Sequence, residues 1–195
     1  FHVIIIDSLV SGSNNQKWIE KDWEIHKLGL DQTEQIIKIL KKAEIVIHLA
    51  ALGNVIQSVK NPIVNFKNNV FSTIKLLEAM RIADCQKIIF SSTGGALMGN
   101  TNPPVSELSI PKPISPYGAS KLACEGYLSA YSNSYDISSI IFRFGNVYGP
   151  FSSHKIGVIN KFIRNAIESK KSDIYGSIET TRDYIHVNDI VKGLT

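Results

Sequence analysis

Apolar, β-prone runs recur along the chain with helix-period segments between them, and this alternation limits the fold more than any other feature. The runs are HVIIID (2–7), WEIHKL (23–28), EIVIHLA (44–50), KIIFSS (87–92) and ISSIIFR (137–143); helical spacing covers 32–42, 62–82 and 118–134. Strands that are apolar on both faces and separated by helices imply a parallel sheet covered on both sides. The expected class is therefore α/β, doubly wound. A chain of 195 residues, 44% hydrophobic and 19% charged, can bury the core such a sheet needs.

Ligands of such sheets gather beyond the carboxyl ends of the strands. Here those ends read Asp7, His48-Leu49-Ala50-Ala51, Ser91-Ser92-Thr93 and Arg143-Phe144-Gly145-Asn146. Stretches rich in Pro, Asn and Ser at 99–116 and 146–154 read as long loops, which in compact domains often carry function.

Several classes are disfavoured by composition. No run approaches the roughly 18 apolar residues of a membrane span, and Asp7 interrupts the first run too early for a signal-peptide core. The formal charge is +4, but the lysines are dispersed and not interleaved with aromatics, so a nucleic-acid groove is not expected. Cys85 and Cys124 are isolated, as befits a reducing cytoplasm, and the five histidines have no ligand spacing, so no metal site is expected.

The chemistry concentrates in SPYGASKLACEGY. Tyr117 and Lys121 stand four residues apart at the start of a helix, on one face and one turn apart. An ammonium beside a phenol favours the phenolate, so the spacing predicts a Tyr117 pKa lowered toward the range of a general base. Upstream, Ser91-Ser92-Thr93 leads into Gly94-Gly95 and offers hydroxyls and bare backbone at the sheet edge. A hydroxyl there could share a substrate proton with Tyr117.

KIIFSSTGGALMG, SPYGASKLACE, IFRFGNVYGP and TRDYIHVNDIVKG, in this order and at these intervals, resemble the extended short-chain dehydrogenase/reductase family. Within it the chain looks most like nucleoside-diphosphate-sugar 4-epimerases of the UDP-glucose (UDP-galactose) type. The resemblance implies a Rossmann-like fold, NAD as cofactor, and Thr93, Tyr117 and Lys121 as the catalytic set. In such enzymes the tyrosine takes the proton of the sugar 4-hydroxyl as C4 is oxidised by NAD+. The 4-keto sugar turns over, and hydride return to its other face inverts C4. Lys121 would also hold the nicotinamide ribose, and Thr93, with Ser92 as the alternative, the reacting oxygen.

Further positions follow from the same resemblance. Leu49, Ala50 and Ala51 would lie along NAD, with Ser91 and Ser92 also lining the cofactor. Asn69 resembles a helix asparagine near the site, although an asparagine there can equally bond locally. Asn146 matches the asparagine that contacts the phosphate region of the sugar nucleotide, and Arg182 a substrate-binding arginine whose fork suits phosphate oxygens. The alternative for Arg182 is an ion pair with Asp183 or Asp189. Asp7 falls where a carboxylate accepts the adenosine ribose hydroxyls, which favours NAD over NADP. Adenine contacts are expected from backbone at Leu30, because KLGLDQ displaces the usual aspartate.

Two departures bear on substrate and reaction. Met98 stands where the family usually has a tyrosine, which puts substrate preference in question. Gly94-Gly95 follows Thr93 where sugar-nucleotide 4,6-dehydratases place an acid, which favours an epimerase over a dehydratase. A reading from another class, a dinucleotide sensor without catalysis, predicts a lost tyrosine or lysine, and both are present.

The expected organisation is an NAD-binding Rossmann-like domain over 1–150 and a partial substrate-binding region over 151–195. A phosphate-cradling glycine loop belongs about 20 residues before an acid such as Asp7, and only six residues precede it. The expected sheet therefore lacks its first βα unit, and the chain as given is expected to bind NAD poorly. A nucleotide sugar, most simply a UDP-sugar, is the expected partner. A homodimer through the helices at 62–82 and 118–134 is expected of the full-length protein.

Overall fold

Parallel pairing begins at once. Ile4–Asp7 forms β1, which runs alongside β2 (Glu24–Lys27) in the register Ile4 to Glu24 through Asp7 to Lys27. The computed structural model describes residues 2–9, 22–152, 155, 157–174, 177, 179 and 181–195. They fall into two compact units, Phe1–Arg143 and Phe144–Thr195.

In the first unit, β2 is followed by α1 (Thr33–Leu40), β3 (Val46–His48), α2 (Val55–Lys60) and α3 (Pro62–Phe66). A π-helical turn, Lys67–Phe71, then leads into α4 (Ser72–Ala83). β4 (Lys87–Thr93), the short α5 (Gly95–Met98), the long α6 (Pro116–Tyr135) and β5 (Ser138–Phe144) complete it. β3 and β4 are parallel, Val46 opposite Ile88, and the second sheet has the order β3-β4-β5. Parallel neighbours need a crossover, which α2 through α4 supply.

The core explains why the apolar runs read as they do. Ile88, Ile89 and Phe90 of β4 are consecutive and all buried, as befits a strand covered on both faces. Ile36 and Leu40 of α1, Leu76, Leu77 and Met80 of α4, and Cys124 and Leu128 of α6 close around Ile88 and Phe90. Burying each large apolar side chain contributes about 1.5–3 kcal/mol.

Two expectations change here. Helical spacing over 62–82 is one amphipathic pattern, but the backbone breaks it into α3, the π turn and α4. The sheet is divided: among the described residues β1 pairs with β2, while β3 belongs to a separate ladder.

The second unit holds β6 (Asn146–Tyr148), α7 (Val158–Ile167), β7 (Tyr184–His186) and α8 (Val187–Leu194). β6 runs parallel to β7, Asn146 opposite Tyr184. The expected loop at 146–154 thus begins as a strand, because Val147 and its neighbours find a ladder in YIH; residues 153 and 154 lie outside the described residues.

α6 starts and stops where its sequence dictates. Ser115, extended, accepts the Gly118 N–H at 3.2 Å, Pro116 occupies the first turn, and Asp136 ends the helix in the left-handed region at φ 55°. The loop before it is anchored at Gly99, whose φ is +59° and where a Cβ would stand 2.2 Å from the Lys112 carbonyl oxygen. Only glycine fits such a backbone in such a place.

His48 closes β3 with a buried polar contact. Its Nε2 lies 2.9 Å from Thr73 Oγ1, and Thr73 donates its own proton to the Asn69 carbonyl at 2.6 Å. The imidazole is therefore the donor through Nε2–H, and it leans on Phe90 with centroids 5.5 Å apart. At 4% exposure, burial first and the Lys121 ammonium second push its pKa down to about 3.

Two outcomes follow. Gly99→Ala is expected to cost roughly 1–3 kcal/mol, read as a lowered urea midpoint at unchanged m-value. His48 stays neutral in the folded state while the unfolded chain takes up its proton near 6.5. Its contribution is therefore complete above pH 6.5 and is lost as pH falls toward about 3, with a slope of at most about 1.4 kcal/mol per pH unit. Urea titrations at pH 7, 5.5 and 4.5 should show His48→Gln with a shallower acid loss than the unsubstituted protein.

Candidate active site

Three carboxyl-end segments and one helix build the site in the first unit. β4 ends in Ser91-Ser92-Thr93, β3 runs out through Leu49 to Gly53, β1 ends at Asp7, and α6 presents Tyr117 and Lys121.

Lys121 is 3% exposed, so its ammonium must be satisfied inside the protein. Its Nζ donates to the Ser91 carbonyl at 2.7 Å and lies 4.5 Å from the centroid of the Phe90 ring. Burial pushes its pKa down, against the raising effects of Cys124 and Glu125. The ammonium carries three N–H donors, which leaves capacity for a ribose hydroxyl.

Tyr117 sits one turn earlier, with its backbone N–H donating to Ser58 Oγ of α2 at 3.1 Å. Its hydroxyl has no protein partner among the described residues and faces Gly53, where a Cβ would stand 3.9 Å from it. The expectation that Lys121 lowers the Tyr117 pKa is corrected here. Burial raises the phenol, and the ammonium that was to oppose this is turned to the Ser91 carbonyl.

The segment after β3 is held from below by Asn69. Its Oδ1 accepts the Leu52 N–H at 2.8 Å, while its Nδ2 donates to the Leu52 carbonyl at 3.2 Å and to Ser120 Oγ of α6 at 3.1 Å. Asn69 lies on the π turn, a device common at functional sites. It reaches across to fix the Leu52 backbone and the Ser120 hydroxyl of α6. Leu49 is 63% exposed, with Ala50 and Ala51 exposed beside it, so this strip offers an apolar ledge next to Tyr117.

The β4 hydroxyls divide their work. Thr93 is half-buried and its hydroxyl has no protein partner among the described residues. Ser92 is buried and donates its proton to Glu125, so its hydroxyl proton is committed to the protein. Ser91 contributes its carbonyl to Lys121. Met98 is buried at the end of α5, its carbonyl accepting from Thr101 Oγ1 at 2.6 Å, so it fills core.

Asp7 is exposed at the end of β1, one carboxylate oxygen accepting the Leu9 N–H at 2.7 Å. An acid at a strand end, a bare Gly53 and a buried Lys121 beside an apolar ledge suit a dinucleotide: Asp7 for the adenosine ribose, Leu49 to Ala51 along its length, Lys121 for the second ribose. The Leu30 side chain packs against the core cluster, leaving only its backbone for adenine.

Asn146 and Arg182 belong to the second unit. Asn146 Nδ2 and its backbone N–H both meet the Asp183 carbonyl, at 3.0 and 2.9 Å. Arg182 is exposed and donates to the Thr181 carbonyl at 2.8 Å; it forms neither alternative ion pair, and Asp189 faces Lys192 at 3.5 Å.

Sequence reading assigns no role to Gly53, Ser58, Ser120, Glu125 or Arg143. Glu125 carried a usable signal, since Tyr117, Lys121 and Glu125 continue one helical face at intervals of four. Among the described residues no group of His, Cys, Asp and Glu could hold a metal, and no helix is long and apolar enough to cross a membrane.

A family model for the NAD dependent epimerase/dehydratase family matches residues 1–195. A Methanocaldococcus jannaschii protein provisionally named UDP-glucose 4-epimerase is 39% identical over 196 residues, covering 98% of this chain and 64% of that protein. A dTDP-D-glucose 4,6-dehydratase of Dictyostelium discoideum is 33% identical over 207 residues, covering 97% and 48%. The solved UDP-N-acetylglucosamine 4-epimerase of Methanobrevibacter ruminantium, in complex with UDP-N-acetylmuramic acid, matches at TM-score 0.91 and 36% identity, covering 98% and 63%. The chain thus spans less than two thirds of the length of each. With the fold, the strand-end site and a match along the whole sequence in agreement, the chain belongs to the NAD dependent epimerase/dehydratase family.

Proposed function

We propose that this chain is the catalytic portion of an NAD-dependent nucleotide-sugar 4-epimerase acting on a UDP-sugar of the UDP-glucose/UDP-galactose type. One observation carries the reading: the Tyr117 and Thr93 hydroxyls have no protein partner among the described residues, and no acid follows Thr93. Gly94 and Gly95 enter α5 there with nothing but backbone.

NAD, when bound, supplies the oxidant and reductant for C4. This chain's residues do the rest. Thr93 Oγ1 orients the 4-oxygen by hydrogen bonding, and Tyr117 Oη takes its proton and later returns it. Burial raises the Tyr117 pKa, and the phenolate that accepts this proton would be favoured by the positive charge of NAD+ when bound. Lys121 fixes the ribose edge, and the Leu49–Gly53 ledge keeps water from one face. Bare backbone at Gly53 leaves room for a keto sugar to turn beside Tyr117. Within the second unit, Asn146 and Arg182 offer an amide and a guanidinium of the kind that bind phosphate oxygens. Apolar Ile63, Phe66, Ile82 and Tyr127, exposed on the helices expected to pair, support a homodimer.

The 4,6-dehydratase relative keeps a second reading in play. Elimination at C6 needs a proton for the leaving hydroxyl, and the residues after Thr93 offer no carboxyl. Full-length protein incubated with UDP-glucose should form UDP-galactose and reach the same mixture from either side; a 4-keto-6-deoxy product without C4 inversion would sink the epimerase reading. Tyr117→Phe should lower turnover by about 10²–10⁴-fold while nucleotide-sugar binding, followed by calorimetry, persists. Unchanged biological activity in that variant would point instead to a dinucleotide sensor.

A further inference from the structure

One buried ionic cluster lies behind the site and touches none of the reacting groups. Glu125 is 7% exposed and receives Arg143 as a fork: Nη2 to Oε2 at 2.7 Å and Nε to both oxygens at 3.2 Å. The remaining guanidinium arm, Nη1, donates to the Glu107 carbonyl in the loop before α6 at 3.1 Å. Ser92 Oγ donates to Glu125 Oε1. The cluster joins β4, α6, β5 and that loop.

A buried ion pair is weak evidence of stabilisation, because desolvation offsets most of the attraction. Its geometry is more telling. Lys121 and Glu125 are one turn apart on α6, and Ser91 and Ser92 are adjacent on β4. Lys121 grips the carbonyl of the first, Glu125 the hydroxyl of the second. Two such contacts fix both the height of the strand end against the helix and its rotation; one would leave it free to pivot. The next residue on the strand is Thr93.

We propose that Glu125, oriented by Arg143, is a positioning residue that acts through Ser92 to set Thr93 and the Ser91 carbonyl against Tyr117 and Lys121. The proposal rests on the functional reading above for its kinetic consequence but not for its structural one. Arg143 holds the carboxylate in one rotamer, Glu125 holds the Ser92 hydroxyl, and Ser92 stops the strand end from twisting. A misplacement of an ångström at Thr93 lowers the rate without weakening grip on the remote parts of a nucleotide sugar.

The test is a double-mutant cycle of Ser92→Ala and Glu125→Gln in the full-length protein, with Ser92→Thr as the variant that keeps the hydroxyl. Each single change should lower kcat about tenfold with KM within twofold and a melting temperature within a few degrees. The double variant should be no slower than the slower single, since both break one link, and Ser92→Thr should recover most of kcat. Amide hydrogen exchange should rise at 91–95 in both singles and no further in the double, while α1 and α4 stay unchanged. Wild-type kcat and wild-type exchange at 91–95 in a folded Ser92→Ala would overturn the proposal, as would losses that multiply in the double. Should Glu125→Gln not fold, Ser92→Ala against Ser92→Thr decides alone. Absence of C4 inversion by the unsubstituted protein would overturn the epimerase reading only, and the exchange measurements would still judge the positioning role.

Discussion

A lysine ammonium with 3% exposure cannot stand alone, and the contact that satisfies it organises the rest of the site. Lys121 reaches from α6 to the Ser91 carbonyl at the end of β4, over the face of Phe90. A strand's last carbonyls lack ladder partners once the neighbouring strand has ended, so this bond meets a need on both sides. Phe90 belongs to the core, packed among residues from α1, α4 and α6, which makes the placement of the ammonium a consequence of core packing.

The same logic extends to the second strand end. Past His48 the chain leaves its ladder, and Leu52 would have an N–H and a carbonyl to satisfy. Asn69 takes both with one side-chain amide and reaches Ser120 on α6 as well. Asn65 adds a second donor to the Leu52 carbonyl at 3.2 Å. The π turn widens the helix where Asn69 stands, and His48, Thr73 and the Asn69 carbonyl tie that turn back to β3. Two strand ends are thus referred to one helix, α6, by a lysine and an asparagine.

The periodic part of this structure was legible in the sequence. Every apolar run became a strand close to its expected bounds, and the YxxxK spacing placed Tyr117 and Lys121 on one face, because strand and helix periods are local properties of the chain. What escaped is non-local. The π turn leaves no trace in a 3.6-residue pattern, and β6 is a three-residue strand whose partner lies 38 residues away, Asn146 to Tyr184. Glu125 with Ser92 and Arg143 spans 33 and 18 positions, so nothing in a window of sequence links them. The expected effect of Lys121 on Tyr117 failed for a related reason: spacing puts two side chains on one face but does not say which acceptor the longer one will choose.

Satisfaction itself separates scaffold from chemistry here. Around the site Ser58, Asn69, Thr73, Ser92, Ser120 and Glu125 spend their side-chain polar atoms on the protein, and Lys121 spends one donor there. Among the buried side-chain oxygens and nitrogens of the described residues only Asn65 Oδ1 lacks a partner. Tyr117 Oη and Thr93 Oγ1 stand at the rim of this network, unpartnered yet held by neighbours that are fixed on every side. A group kept free while its support is locked costs conformational order that folding alone does not reward, and it is recovered only when a ligand arrives. Free hydroxyls at Tyr117 and Thr93 are what the motif pattern requires of residues that meet a ligand.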